Sequence, residues 1–295
     1  MRSDAGSAQA FETAPRALAG RVPPHAYFVV SAIFHYLGPS FAVLLFAKVE
    51  PLGVAWLRIA SAAAVFAIWR RPWRYFQTLD ASQRWFIAAL GVVLAAMNSV
   101  FYLAIQQLPL GTVGAIEFVG PILLAALGVR SARNLAALLA AIAGVYVLTN
   151  IRFEGAPLGF LFAFANCILF TLYIVLGHRI SGPGGVDRLA LSMLFATVAA
   201  LPIGFSDAAP AFVHPVLLAA GVGVGVSSSV IPYVTDQLAM ARLPRATFAL
   251  LLSILPATAT AIGFLVLRQV PTAGDLIGIA LVVAGVALHR TGGRT

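Results

Sequence analysis

Two stretches decide the fold: Leu103–Pro121, LAIQQLPLGTVGAIEFVGP, and Leu238–Pro256, LAMARLPRATFALLLSILP. A shift of 135 residues lays one on the other with six identities in nineteen ungapped positions. Leu103, Ala104, Leu108, Pro109, Thr112 and Pro121 meet Leu238, Ala239, Leu243, Pro244, Thr247 and Pro256. The two stretches lie in different halves of a 295-residue chain, so the sequence carries an internal repeat. Each joins two apolar runs through a Leu-Pro-x-x-Thr turn and then meets a second proline within the following run. Five apolar runs make up one copy. Five is odd, so in a membrane the second copy enters in the opposite sense, the arrangement that supports alternating access to a midplane site. Duplication kept for packing alone is the plain alternative.

Composition puts these runs in a membrane. Of the residues 61% are hydrophobic and only 10% charged, against about 25% charged in an ordinary soluble domain. At roughly 20 residues per crossing, runs long enough to span fall at 26–46, 52–69, 85–106, 111–129, 134–150, 157–177, 188–205, 214–238, 246–267 and 273–289. They are continuously apolar and lack the alternation of a barrel strand. The predicted fold is therefore an all-α integral membrane protein of ten transmembrane helices in two inverted five-helix repeats. Residues 25–150 form the first repeat and 151–290 the second. Polar tails at 1–24 and 291–295 flank them, and the first of these has no apolar core that would make it a signal peptide.

Charge orients the bundle. The N-terminal tail and alternate loops (Arg70, Arg71, Arg74, Arg84; Arg130, Arg133; Arg179, Arg188; Arg242, Arg245; Arg290, Arg294) collect fifteen cations, whereas Lys48, Arg152 and Arg268 face the other side. By the positive-inside rule the first side, with both termini, is cytoplasmic. The net charge of +9 is then a topological signature and not a nucleic-acid footprint. The single cysteine, Cys167, lies in an apolar run and has no intrachain partner. No metal-binding, phosphate-loop or nucleophile-elbow pattern is present, so the expectation is no cofactor, no metal and no enzymatic activity.

Ionisable groups inside a span are costly and are functional candidates by default: here His35, Arg58, Glu117 and Asp236. Arg58 and Glu117 each sit about seven residues into a helix entering from the outer face, a depth of roughly 10 Å for both. Equal depth permits a salt bridge; the alternative has Arg58 reaching the outer headgroups and Glu117 facing a wet cavity alone. Asp236, about five residues from a helix end, is either interfacial or part of the site. His35 precedes Gly38-Pro39-Ser40, which should bend the first span and free backbone carbonyls. Neutral polar residues recur every four positions: Asn98, Tyr102 and Gln106 on span three, Ser229, Tyr233 and Gln237 on span eight. The 135-residue shift puts Asn98 on Tyr233 and Tyr102 on Gln237. Two stripes in register suit a polar cavity between the halves, although interhelical hydrogen bonding alone would also use such residues. Pro121 and Pro256, in the fourth and ninth spans, are candidate hinges.

Ten helices with Leu-Pro-x-x-Thr at both junctions resemble the EamA branch of the drug/metabolite transporter superfamily. Phe101-Tyr102-Leu103-Ala104-Ile105-Gln106, Pro109-Leu110-Gly111 and Glu117-Phe118-x-Gly120-Pro121 resemble its bacterial threonine/homoserine exporter group. Leu57-Arg58, Pro72-Trp73-Arg74 and Ile231-Pro232-Tyr233 agree with it. The similarity runs over about 31–290. It implies a secondary transporter of the bacterial inner membrane that exports amino acids or related metabolites, with the proton as coupling ion. An uptake or exchange carrier for another small metabolite is the alternative. The chain departs from the group's pattern at Leu255, where a glutamate is usual, at Arg268-Gln269 in place of Gly-Glu, and at Asp236 in place of glutamate.

Overall fold

The computed structural model describes residues 23–120, 123, 131–152, 156–243, 248 and 254–288. The regular structure of these residues is all helical, with no strand among them. The helices are α1 (Pro24–Leu45), α2 (Pro51–Arg70), α3 (Trp73–Phe76), α4 (Ala81–Gln107), α5 (Leu110–Glu117), α6 (Ala132–Arg152), α7 (Pro157–Ile180), α8 (Gly185–Gly204), α9 (Ala209–Val213), α10 (Pro215–Gly225), α11 (Ile231–Met240), α12 (Ile254–Leu267) and α13 (Ala273–Leu288). A π-helical turn, Val226–Val230, joins α10 to α11 without a break. Six runs are long and apolar enough to cross a bilayer: Ala26–Leu45, Pro51–Arg70, Ala81–Gln107, Pro157–Ile180, Gly185–Gly204 and Pro215–Met240. The chain is a multi-pass membrane protein. Each of the remaining predicted spans overlaps a described helix: α5, α6, α12 or α13. The tails at 1–22 and 289–295, and Pro121, lie outside the described residues.

Local chemistry sets the ends. Helix α4 begins at Ala81, four residues ahead of the predicted run, because a capping box starts it. Asp80 accepts from the Gln83 backbone N–H at 2.8 Å, and Gln83 Oε1 accepts from the Asp80 N–H at 3.3 Å. These first residues are polar, so a search for apolar runs passes over a helical turn that is satisfied by its own side chains. Helices α1, α2 and α7 start with proline in the first turn, where the missing N–H costs nothing. Helix α1 continues unbroken through Pro39.

The π-turn has a sequence cause. Pro232 has no N–H, so the carbonyl of Ser228, four residues earlier, loses its helical donor. The backbone widens over Val226–Val230, and the freed carbonyl turns toward α2. Two glycines bring the neighbours close. A Cβ on Gly38 of α1 would collide with the Ser228 backbone, and one on Gly225 would collide with Ser61 and the Arg58 carbonyl of α2. The turn is thus wedged between α1 and α2 at backbone contact, which small residues permit. Gly38→Ala should lower the unfolding midpoint in detergent by the equivalent of about 1–3 kcal/mol of overpacking. Gly223→Ala is the control, since a Cβ there meets nothing within 4 Å. Equal midpoints for the two variants would contradict this packing.

Around that wedge the core is built by α4 lying between α7 and α8, α2 against α8 and α10, α1 against α11 and α12, and α5 against α12 and α7. Helices α6 and α13 pack extensively on each other. Large apolar side chains such as Ile168, Val198, Val216 and Leu265 point outward, as a lipid-facing surface requires. Tyr36, Tyr102, Tyr173 and Tyr233 are fully buried.

Candidate functional site

The polar centre is assembled from α1, α2, α4, α5, α7 and the π-turn with α11. Glu117 closes α5 and is 2% exposed. Its Oε2 accepts from the Tyr36 hydroxyl at 3.0 Å and its Oε1 from Asn166 Nδ2 at 2.9 Å. His35 Nε2 stands 3.8 Å from Oε2, an ion pair when the imidazole is protonated. The His35 ring is held edge-on against Tyr36 and Phe170. A buried carboxylate with two neutral donors and one titratable neighbour can hold a proton or a ligand ammonium.

Arg58 is 3% exposed and fixed elsewhere. Its Nε donates to Ser229 Oγ at 2.8 Å and its Nη2 to the Ser228 carbonyl at 2.6 Å, the carbonyl that Pro232 releases. The guanidinium lies 5.5 Å from the Tyr102 ring centre and 6.0 Å from that of Tyr233, within cation–π range. It makes no direct bridge to Glu117. Equal depth permits a direct salt bridge, and the structure does not form one, because the π-turn offers the arginine fork a nearer acceptor. Nor does Arg58 reach the outer headgroups.

Asp236 is buried within the bundle. It accepts from Ser31 Oγ, one turn before His35 on α1, and from the Tyr173 hydroxyl at 3.4 Å. The Tyr173 and Tyr233 rings pack with centres 5.5 Å apart. Asn98 donates to the Leu94 carbonyl at 2.6 Å and to the Tyr233 hydroxyl at 3.2 Å. Asn98 and Tyr233 are the pair related by the 135-residue shift, and here they touch. In this conformation the polar centre is filled by its own side chains, each 3% exposed or less apart from His35.

Not every predicted residue joins. Gln106 is exposed at the end of α4, because the stripe turns out of the core after Tyr102. Gln237 is buried, but it sits one turn beyond Tyr233, against Gly177 and Gly185 at the α7–α8 junction, and its amide has no hydrogen-bond partner among the described residues. Pro256 is buried near the start of the described part of α12 and is bonded through its carbonyl to Thr260. Tyr36, Asn166, Ser228, Ser31 and Tyr173 were not singled out from sequence. Ser228 was the most legible of them, four residues before Pro232; Asn166 is a lone amide in the apolar run 157–177.

A model described as the EamA-like transporter family matches residues 157–291. The chain is 31% identical over 254 residues to the threonine/homoserine exporter RhtA of Salmonella typhimurium, covering 84% of each protein. It is 30% identical over 250 residues to the protein of that name from Escherichia coli K12, again covering 84% of each. A crystal structure 20% identical in sequence superposes on 89% of this chain and 96% of its own, with a TM-score of 0.58, so the fold is shared. The family resemblance read over about 31–290 holds, and the chain is a transporter and not an enzyme: it belongs to the EamA-like transporter family.

Proposed function

We propose that this protein exports a small amino acid, of the class named for its relatives, across the bacterial inner membrane by proton-coupled alternating access. The observation that carries the reading is the separation of charge in the polar centre. A carboxylate and a guanidinium are both buried, are not bridged to each other, and are held only by neutral groups or by His35. A zwitterion offers an ammonium to the first and a carboxylate to the second. Once the filled centre opens, Tyr102, Tyr233 and Asn98 would offer groups suited to a hydroxylated side chain.

Ten crossings in two inverted repeats, 25–150 and 151–290 with both termini cytoplasmic, supply the motion. Helices that correspond under the repeat pack on one another: α2 on α8, α5 on α12 and α6 on α13. The Asn98–Tyr233 contact between corresponding residues belongs on the pseudo-two-fold axis. Rocking of one repeat against the other would part Tyr233 from Asn98 and open the filled centre to one side, with Pro121 and Pro256 as the hinges. Protonation of Glu117 would release the bound ammonium.

Purified protein in liposomes should show counterflow of threonine or homoserine, and an imposed proton gradient should speed net flux more than exchange. Failure of every amino acid in a panel to support counterflow would overturn the reading. Counterflow only with a non-amino-acid metabolite would favour the exchange-carrier alternative.

A further inference from the structure

At the arginine-rich end of the bundle a cavity of about 350 Å³ is lined by Gln83, Phe86, Ile87, Arg179, Ile180 and Arg188. It lies where α7 ends and where α4 and α8 begin. The N-termini of α4 and α8 meet the C-terminus of α7 there, so the positive charge of the cavity comes from the two guanidinium groups. Arg179 lies 5.2 Å from the Phe86 ring centre and has no hydrogen-bond partner among the described residues. Arg188 is anchored by Nε to the Tyr75 hydroxyl at 3.1 Å and by Nη1 to the Ile180 carbonyl at 3.0 Å, which leaves Nη2 uncommitted. The carboxylates nearest in sequence are occupied: Asp187 in a two-bond pair with Arg70, Asp80 in the α4 cap.

The surroundings identify the ligand. Trp69, Trp73 and Trp85 are more than half exposed at this end of α2, α3 and α4; exposed tryptophans mark the headgroup layer of a membrane. Leu161, Phe164, Ile168 and Leu172 form an exposed apolar stripe along α7. Val175 continues it at helical spacing to Arg179. From Ile168 to Arg179 is eleven residues, about 16 Å at 1.5 Å per residue, close to the roughly 15 Å depth of one leaflet's hydrocarbon. A chain laid on this stripe ends with its headgroup at the guanidinium.

We propose that the Arg179–Arg188 cavity binds the phosphodiester of an anionic phospholipid of the cytoplasmic leaflet, with an acyl chain along the outer stripe of α7. Binding of this kind is expected of basic pockets between helices on that side. Once bound, the lipid ties the end of α7 to the start of α8.

The test is titration of purified full-length protein in detergent with phosphatidylglycerol, and with phosphatidylcholine of the same acyl chains. Wild-type protein should bind phosphatidylglycerol more tightly. Arg179→Gln should weaken that binding about tenfold or more, the loss of a direct hydrogen bond between charged groups. Arg84→Gln removes a charge at the same level, outside the cavity, where Arg84 stacks on Phe76; it should cost at most the roughly fivefold of a diffuse surface charge. Adding Arg188→Gln should deepen the loss, but Arg188 also holds Tyr75 and Ile180, so Arg179→Gln alone decides. Equal losses for Arg179→Gln and Arg84→Gln would reduce the effect to diffuse surface charge and overturn the proposal. Displacement of the lipid by millimolar inorganic phosphate, dependent on Arg179, would assign the cavity to a soluble anion and overturn it as well.

Discussion

Glu117→Gln should abolish export while leaving expression and membrane insertion normal. The substitution keeps volume and shape and removes only the charge. The neutral side chain can still be satisfied. Its carbonyl can accept from the Tyr36 hydroxyl, and its NH₂ can donate to Asn166 Oδ1, which has no partner in the wild-type arrangement. Folding should therefore survive, and any loss reports on charge. A carboxylate that takes up a proton or an ammonium in every cycle cannot be replaced by an amide, so flux should fall by about 100-fold or more. The readout is counterflow and gradient-driven efflux in liposomes, with protein per vesicle matched. Wild-type flux in the variant would remove Glu117 from the mechanism. Loss of gradient-driven efflux with counterflow intact would assign it to the proton and not to the substrate.

Arg58→Lys should raise KM for an amino acid at least tenfold with a modest loss of stability. Lysine keeps the positive charge but not the fork that reaches Ser229 Oγ and the Ser228 carbonyl together, and a bidentate arginine is not replaced by a point charge. Arg58→Ala should cost more. It leaves a buried carbonyl without a donor, worth about 1–3 kcal/mol, and strips the cation from between Tyr102 and Tyr233. The decisive comparison uses an analogue of threonine lacking the carboxylate. If Arg58 binds that carboxylate, Arg58→Lys should penalise threonine and leave the analogue unchanged. Equal penalties would make Arg58 a brace for the π-turn alone.

Much of this protein is legible in its sequence. Membrane residence followed from the energetics of burying apolar surface, which depend on composition and not on arrangement. The positions of most helices followed because each span satisfies its own backbone hydrogen bonds within about 20 residues, so the signal is local. The buried ionisable residues His35, Arg58, Glu117 and Asp236 were recognisable because their cost in a span is set by residue type. What failed was partner choice. Equal depth suggested an Arg58–Glu117 bridge, yet the arginine is taken by Ser228 and Ser229 and the carboxylate by Tyr36 and Asn166. Gln106 continued a stripe in sequence but leaves the core in space.

The sequence by itself determined the medium, the six long apolar spans and the kinds of side chain that had to be satisfied inside them. Only the tertiary structure decided which side chains meet. That choice rests on helix rotation and on two close approaches, Gly38 to Ser228 and Gly225 to Arg58, which no single helix encodes. The π-turn shows the division most clearly. Pro232 guarantees that the Ser228 carbonyl loses its helical partner, a local and readable fact. Which donor replaces it depends on the helix that packs alongside, and here that helix brings Arg58.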